Sequence, residues 1–213
     1  MNSISPQTAP QLGGVSRVFF VEHRYVRQVP AAVAGSIAAP VVLATGAMFA
    51  QLAGVLYTPS LDAEGVDTAQ GPSYKQVVEV SYAGDAAEVT QRLAAMQGRR
   101  YLVLLQYFDG RVVVVGDRLG GLLFTSKFGS GRQPRERLGH TWRFEANTST
   151  PPRQLTAAFP VEGLGLVVPG QPIPAPSLGP VLIRTRSGRV LGTAQPGQTV
   201  TITSAFGVSI SIQ

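Results

Sequence analysis

Runs of apolar residues, either alternating with polar ones or nearly continuous, recur along the chain and predict β-strands. The segment from Val15 to Val21 is rich in β-branched and aromatic residues. Tyr74 to Tyr82 and His140 to Ala146 alternate between two kinds of side chain, as half-buried strands do. Leu122 to Phe128 predicts a further strand. The pattern indicates a mainly β protein.

The most continuous apolar pattern predicts a hairpin from Tyr101 to Val115. Its strands, Tyr101 to Tyr107 and Arg111 to Val115, flank the turn dipeptide Asp109-Gly110. Because nearly every strand position is apolar, we expect both faces of the hairpin to be buried. One face can pack on a helix, and the other requires a second sheet or a neighbouring subunit.

One segment, Asp85 to Gln97, has helical periodicity. Asp85 and Glu88 match a capping box, and Gly98 favours a helix end. The apolar positions share one stripe and are Val89, Leu93 and Met96. The sequence therefore predicts one helix beside the strands.

The segment from Gln28 to Leu61 contains no charged residue. Its most apolar part, Val41 to Tyr57, is shorter than the roughly 20 residues of a membrane helix and is interrupted by glycine. We expect two or three short strands here, packed in a core or an interface, and no membrane insertion. The following residues, Asp62 to Pro72, carry turn residues and predict a loop.

Proline and glycine divide the chain into four predicted parts. Residues 1–13 form an arm that lacks the basic and apolar regions of a secretory signal. Residues 14–152 form the main β domain, with the helix at 85–97. Residues 153–180 form a proline-rich linker, and residues 181–213 form a small β module. A module of this size is too small to build an independent core, so we expect it to dock on its parent domain or on a neighbouring subunit.

Charge and composition favour a protein that binds other proteins. Charged residues make up 14% of the chain, against about 25% in typical domains, so part of the surface is uncharged and needs a partner. The net charge of +6 makes nucleic acid the obvious ligand to consider. The basic residues are scattered, however, and the dense cluster is Arg132, Arg135 and Arg137, with Glu136 among them. We interpret the charge as general surface charge, which does not favour nucleic acid as a specific ligand.

No residue pattern predicts catalysis, a cofactor or a metal site. The chain has no cysteine, which removes disulfides and thiolate chemistry. His23 and His140 do not have the spacing of a zinc site, and no serine lies in GxSxG. Asp62, Glu64 and Asp67 cluster, but in a predicted loop where acidic residues are normally solvated. We therefore expect a protein that is not an enzyme.

Aromatic residues near the predicted hairpin allow two interpretations. Trp142, Tyr101, Tyr107 and Phe108 could stack on the bases of single-stranded nucleic acid. The alternative is core packing combined with interface contacts. We favour the second, since these residues lie within otherwise apolar strands.

With these elements placed, residues 14–152 resemble a family of structural proteins of bacteriophage tails, found in tailed phages and prophages. The resemblance is one of layout and involves no signature motif. It includes the opening strand Gly14 to Val21, the strand entry Gly71-Pro72-Ser73-Tyr74-Lys75, and the helix end Gln97-Gly98-Arg99-Arg100. It continues through the Tyr101 strand with its Asp109-Gly110 hairpin, Val115-Gly116, Leu122-Leu123, and Phe128-Gly129-Ser130-Gly131 before the arginine-rich loop and Gly139.

The resemblance implies a tail-tube-like fold, a β-sandwich or barrel with one flanking α-helix that repeats in a ring. It implies a structural subunit of the tail tube, the distal tail and baseplate, or a tail completion ring. The partners would be further copies of the chain, with a hexamer expected, and other tail proteins. The subunit would be produced in the host cytoplasm and reside in the virion. The family has no catalytic residues to transfer.

At the subunit interface we expect the loop from Gly129 to Gly139. Arg132, Arg135 and Arg137 would bind acidic partners such as Asp62, Glu64 or Asp67, since a guanidinium can hold a carboxylate with two hydrogen bonds. We also expect Tyr101, Tyr107 and Trp142 at this interface. Two other functions stay open: a nucleic-acid-binding or packaging-associated virion protein, and a carbohydrate-binding module.

Overall fold

The computed structural model describes most of the chain. The described residues are 14–52, 58–68, 71–84, 86–117, 119–130 and 138–170, together with the backbone of four C-terminal strands. The chain separates into two compact units, Met1–Pro172 and Ile173–Gln213. The larger unit contains the features on which the functional argument depends.

The larger unit is built from short and long strands with one α-helix among its described residues. The first strands are β1 (Val15–Glu22), β2 (Val26–Gln28), β3 (Ser36–Ile37), β4 (Val42–Leu43), β5 (Ala50–Leu52), β6 (Ser60–Thr68) and β7 (Gly71–Ala83). The helix α1 (Ala87–Met96) and a short 3₁₀ helix (His23–Tyr25) interrupt them. The remaining strands are β8 (Arg100–Tyr107), β9 (Val112–Val115), β10 (Leu122–Gly129), β11 (Gly139–Thr148), β12 (Arg153–Leu155), β13 (Phe159–Val161) and β14 (Gly165–Val167).

A ten-stranded sheet, curled into a half-barrel, organises this unit. Its strand order is β3-β12-β9-β8-β10-β11-β7-β6, and β1 joins β8 along its other edge and carries β5. Beside β8, the sheet therefore divides into two arms, one through β9 and one through β10. The prediction of a mainly β fold with one flanking helix is confirmed.

The predicted hairpin lies at the centre of the sheet as β8 and β9, and both of its faces are buried. On one face, Tyr101, Val103 and Leu105 belong to a core that includes residues of β7, β10, β11 and α1. On the other face, Leu104 lies beside Phe19 in the register of β1 and β8. The Phe19 ring packs edge-on against Phe159, with the ring centroids 5.4 Å apart. The chain itself covers both faces, so the hairpin does not need a neighbouring subunit for its burial.

A second core lies on the face of the hairpin that carries Leu104. The uncharged segment supplies much of this second core. It forms three short strands, β3, β4 and β5, as expected. Ile37 and Phe49 are fully buried, and the Phe49 ring lies 5.6 Å from that of Phe159. No described helix has the length and apolar character to cross a membrane.

The helix forms where the sequence predicted it and begins slightly later. Its N-cap is Ala86, which makes no side-chain hydrogen bond, and Asp85 lies outside the described residues. Of the predicted apolar stripe, Leu93 is buried, while Val89 and Met96 are partly buried against the core. The helix covers one side of the β10 arm.

The start of the predicted linker differs from the structure. Residues 153–167 form β12, β13 and β14, and Leu155 and Phe159 are fully buried. β12 is an internal strand of the large sheet, between β9 and β3. The proline-rich composition hid these strands, because three-residue strands carry little periodicity. Residues 171–180 lie outside the described part of the chain.

The smaller unit contains two antiparallel hairpins close to the predicted strands. The first pairs β15 (Val181–Arg184) with β16 (Val190–Ala194). The second pairs β17 (Val200–Thr203) with β18 (Ser209–Ile212).

Candidate assembly surface

The β10 arm is a four-stranded antiparallel sheet with long, regular pairing. β11 pairs with β7 from Gly139 opposite Ala83 to Thr148 opposite Tyr74. β7 then pairs with β6 along the whole length of β6, and β10 pairs with β11 from Leu123 to Gly129. The arm thus has β6 at one edge and β10 at the other.

The inner face of the arm is apolar and contains two of the expected interface residues. Trp142 stacks on Tyr82 with centroids 5.1 Å apart and is 4% exposed. Tyr101 is also 4% exposed and contacts Phe144 edge-on. Both side chains belong to the core of their own subunit, so the expectation that they anchor an interface does not fit this fold.

Tyr107 lies at the end of β8, where the hairpin turn begins. It is partly buried, and its ring lies 5.4 Å from the guanidinium carbon of Arg111. Burial raises the pKa of the Tyr107 hydroxyl. Arg111 in turn bonds the carboxylate of Asp109 across the turn. Tyr107 therefore packs within its own hairpin, and no contact in the structure assigns it to an interface.

The outer face of the arm is polar and carries a network of ion pairs. Arg143 on β11 donates to Glu79 at 2.8 Å and to Glu145 at 2.9 Å. Lys75 lies 3.2 Å from Glu145. Hydrogen bonds from Arg143 and Lys75 lower the pKa of the Glu145 carboxyl. The two faces give the arm a fixed orientation, with one side packed on the core and the other in solvent.

The β6 edge is exposed and acidic. Asp62, Glu64 and Asp67 lie on this strand and are exposed. The sequence predicted a loop for Asp62 to Pro72, which is wrong, because β6 and the start of β7 occupy it. Acidic residues and glycine disfavour a strand by composition, but pairing with β7 overrides that preference. Among the described residues, no strand pairs with the outer side of β6.

The opposite edge, on β10, is covered for only part of its length. The Phe124 N–H donates to the Arg99 carbonyl at 2.9 Å, and the Ser126 N–H donates to the Gln97 side chain at 3.1 Å. No described strand lies on this side of residues 127–129. Lys127 lies in this stretch, and Phe128 is 46% exposed. Among the described strands, the end of β10 therefore has no partner on this side, and it carries Lys127.

The loop that follows this open edge contains the predicted arginines. Arg132, Arg135 and Arg137 lie outside the described residues, so their expected contacts stay predictions. Gly139, the first residue of β11, approaches β7 so closely that a side-chain carbon there would collide with the backbone oxygen of Tyr82. Lys127 and the open end of β10 could not be predicted from the sequence, because strand pairing is visible only in the folded sheet.

A buried polar junction ties the two arms together. The Gln76 side chain, 1% exposed, donates to the Thr150 carbonyl at 2.7 Å and accepts from the Gly116 N–H at 2.9 Å. Thr148 is also buried and donates to the Thr150 carbonyl at 2.8 Å. These bonds connect β7, the β9–β10 connection and the β11–β12 connection.

Near this junction, a serine, a histidine and an aspartate approach one another. The Ser149 hydroxyl lies 3.3 Å from the Asp117 carboxylate, and His23 Nε2 lies 3.3 Å from the Asp117 carbonyl. A serine nucleophile requires the hydroxyl to bond the imidazole, which in turn bonds the carboxylate. Here the serine bonds the carboxylate, and the histidine contacts a backbone oxygen. The Asp117 carboxylate also accepts the backbone N–H groups of Leu119 and Gly120, so it organises a loop.

Two further observations bear on function. No three described His, Asp or Glu side chains converge in a way that could hold a metal ion. Comparison of the chain with protein-family models, curated proteins and solved structures finds no match. The basis for a functional proposal is therefore the geometry of the fold together with the resemblance of layout seen in the sequence.

Proposed function

We propose that the chain is a structural subunit of a bacteriophage tail that assembles head to tail into a homo-oligomeric ring. The observation that carries the proposal is a four-stranded arm with two open edges of opposite charge. β6 presents Asp62 and Glu64, and the open end of β10 presents Lys127 and leads into the three loop arginines. The subunit would be made in the host cytoplasm and reside in the virion tail, in contact with other tail proteins.

The strand directions suit such a repeat. Successive strands of the arm, β6, β7, β11 and β10, are all antiparallel to their neighbours. An even number of alternating strands makes β6 and β10 run in opposite directions. A second copy that adds its β6 to the open β10 edge therefore continues the antiparallel pattern from one copy to the next. We refer to this contact between β6 of one copy and β10 of another as the seam. The interface joins two different surfaces, and such heterologous contacts form rings when the rotation closes.

The registers indicate how the copies would be offset. Ser60 at the start of β6 is level with Glu79 on β7, which is level with Arg143 on β11 and then Thr125 on β10. The open stretch of β10 begins beyond Thr125. A neighbour must therefore shift along the strands to reach it. Such a stagger between tilted strands is what a closed barrel requires.

Backbone hydrogen bonds would supply much of the contact, and charge would choose the partner. Exposed ion pairs are each worth about 0–1 kcal/mol, so Asp62 and Glu64 alone cannot hold a ring together. Their effect is to attract the basic edge and to repel a second acidic edge. Acidic side chains on an isolated edge strand also prevent unselective strand addition.

Charge reversal tests the seam. Asp62→Lys with Glu64→Lys should abolish rings, and so should Lys127→Glu combined with Arg132→Glu, because each places like charges at the seam. Mixing the two variant proteins should restore rings in which the variants alternate. Native mass spectrometry and negative-stain microscopy measure the assemblies. Assembly of the unchanged protein should weaken as salt rises, since salt screens exposed pairs.

Glu88→Lys combined with Glu162→Lys is the matched control, since it reverses two exposed charges that lie on neither β6 nor β10. It should leave assembly unchanged. Rings that persist in both seam variants, or a mixture that stays unassembled, would contradict the proposed seam.

Placement in a tail is tested by a separate experiment. An antibody against the chain should label the tails of phage particles released by the bacterium that encodes it. Labelling that is absent from tails would contradict that placement.

A further inference from the structure

A basic groove, distinct from both edges of the arm, lies beside the 3₁₀ helix. One wall consists of Arg24, Tyr25 and Arg27, and the other consists of residues 44–48. The groove is open and has a volume of about 560 Å³. The two walls are joined by pairing of β2 with β4 and by a 2.8 Å hydrogen bond from the Ala44 N–H to the Tyr25 carbonyl. We refer to this feature as the basic groove.

The positive charge of the basic groove is only partly neutralised. Arg24 and Arg99, far apart in sequence, approach the same carboxylate oxygen of Glu22, at 3.1 Å and 3.3 Å. One carboxylate therefore serves two guanidinium groups, whose side chains are 61% and 47% exposed. Arg27 is exposed and makes no ion pair with any described residue. The described walls carry no carboxylate, because the second wall belongs to the uncharged segment.

The basic groove also contains an exposed aromatic ring and an exposed apolar side chain. The Arg24 guanidinium carbon lies 4.8 Å from the centroid of the Tyr25 ring, which is 39% exposed. Met48, on the second wall, is 50% exposed. The other lining residues of the second wall are small: Ala44, Thr45, Gly46 and Ala47. Exposed rings and apolar side chains would contribute little to an acidic peptide but offer a stacking surface to a nucleobase.

We propose that the basic groove binds single-stranded nucleic acid without sequence preference. Arg24 and Arg27 bind backbone phosphates, and the Tyr25 ring stacks on a base. Sequence-tolerant binding of this kind combines a positive groove with aromatic side chains. The sequence did not favour nucleic acid because its basic residues are scattered, and folding brings Arg24, Arg27 and Arg99 to one place. This inference goes beyond the proposed assembly function and does not depend on ring formation.

Fluorescence anisotropy with a labelled oligothymidylate tests the proposal. Arg27→Gln should weaken binding about threefold to tenfold and should reduce the slope of log affinity against log salt by about 0.7, the value for one lost phosphate contact to a single strand. Tyr25→Ala should weaken binding at least about fivefold, since a stacked base contributes on the order of 1–3 kcal/mol. Arg92→Gln, which removes one exposed charge from α1, is the matched control and should change affinity less than about twofold.

Each alternative outcome overturns the proposal. Equal weakening by Arg27→Gln and Arg92→Gln would show a response to net charge alone. Competition by polyglutamate as effective as that by unlabelled oligothymidylate would identify a site for acidic proteins instead. Melting curves confirm that the variants are folded. The ring assembly of Arg27→Gln, measured in parallel, keeps this result separate from the proposed seam.

Discussion

At the scale of single residues, Gln76 joins separate segments of the sheet through two buried hydrogen bonds. It interrupts an otherwise apolar inner face of β7, where Val78 and Val80 point into the core. A buried amide costs stability unless its hydrogen bonds are made, and Gln76 makes bonds at both its oxygen and its nitrogen. Gln76 therefore links β7 to the Gly116 connection and to the connection that follows β11.

Gln76→Met should destabilise the larger unit by about 1–3 kcal/mol, because the buried Gly116 N–H loses its partner, while the Thr150 carbonyl keeps its bond from the Thr148 hydroxyl and side-chain volume is retained. Urea unfolding measures this loss. Gln97→Met is the control, since it removes the exposed bonds to Ser126 and should cost under about 1 kcal/mol. Equal losses in the two variants would show that the junction does not stabilise the fold.

The ion pairs of Glu145 predict a pH-dependent contribution to stability. The folded-state pKa of Glu145 lies below the ordinary value of 4.5, so the folded state favours the charged carboxylate. The contribution is present above the unfolded-state pKa and is lost as pH falls through the folded-state pKa. Because the pair is exposed, it should amount to less than about 1 kcal/mol.

Chemical denaturation of the unchanged protein and of Glu145→Gln, compared over pH, measures this effect. The unchanged protein should be the more stable one near neutral pH, and the difference should vanish in acid. A difference that is constant over the whole range would contradict the assignment.

At the scale of elements, the short strands after β11 decide where the larger unit ends. β13 and β14 pair with each other, and Phe159, Val161 and Val167 are buried. β13 also bonds Phe49, through the Pro160 carbonyl and the Glu162 N–H. These strands therefore complete the second core, although prolines precede and follow them.

Two truncations test this boundary. A chain ending at Pro172 should unfold like the larger unit of the full chain, because it keeps all of β14. A chain ending at Glu162 loses β14 and exposes Phe159, and should be less stable by about 2–5 kcal/mol, as for the loss of a large buried side chain. Thermal and urea unfolding measure both. Equal stability of the two truncations would show that β14 is peripheral.

At the scale of the whole molecule, the proposed assembly depends on the edges of the sheet and not on its faces. The sequence left open whether a second sheet or a neighbouring subunit covers the apolar hairpin, and residues of the same chain cover it, among them Ile37, Phe49 and Phe159. Burial of the hairpin therefore does not require a second copy. In the four-stranded arm, β6 and the end of β10 have no described strand on their outer sides, and a separate basic groove lies at Arg24 and Arg27.

The sequence by itself determined the elements whose pattern is local. Strong alternation or continuous β-branched runs defined β1, β7, β8, β9, β10 and β11, and one amphipathic stripe defined α1. Local pattern suffices there because each element buries one or both faces and must keep the matching period. The prediction was wrong for Asp62 to Pro72, where an acidic edge strand pairs with β7 despite its composition.

Only the tertiary structure decided which residues meet and which edges stay open. Trp142 and Tyr101 looked equally suited to a core or an interface until the sheet placed them inside. The convergence of Arg24 and Arg99 on Glu22, and the hold of Gln76 on Gly116, join residues that are remote in sequence. Such contacts depend on strand order and register, which no local pattern specifies, because one strand can pair with any other of suitable length.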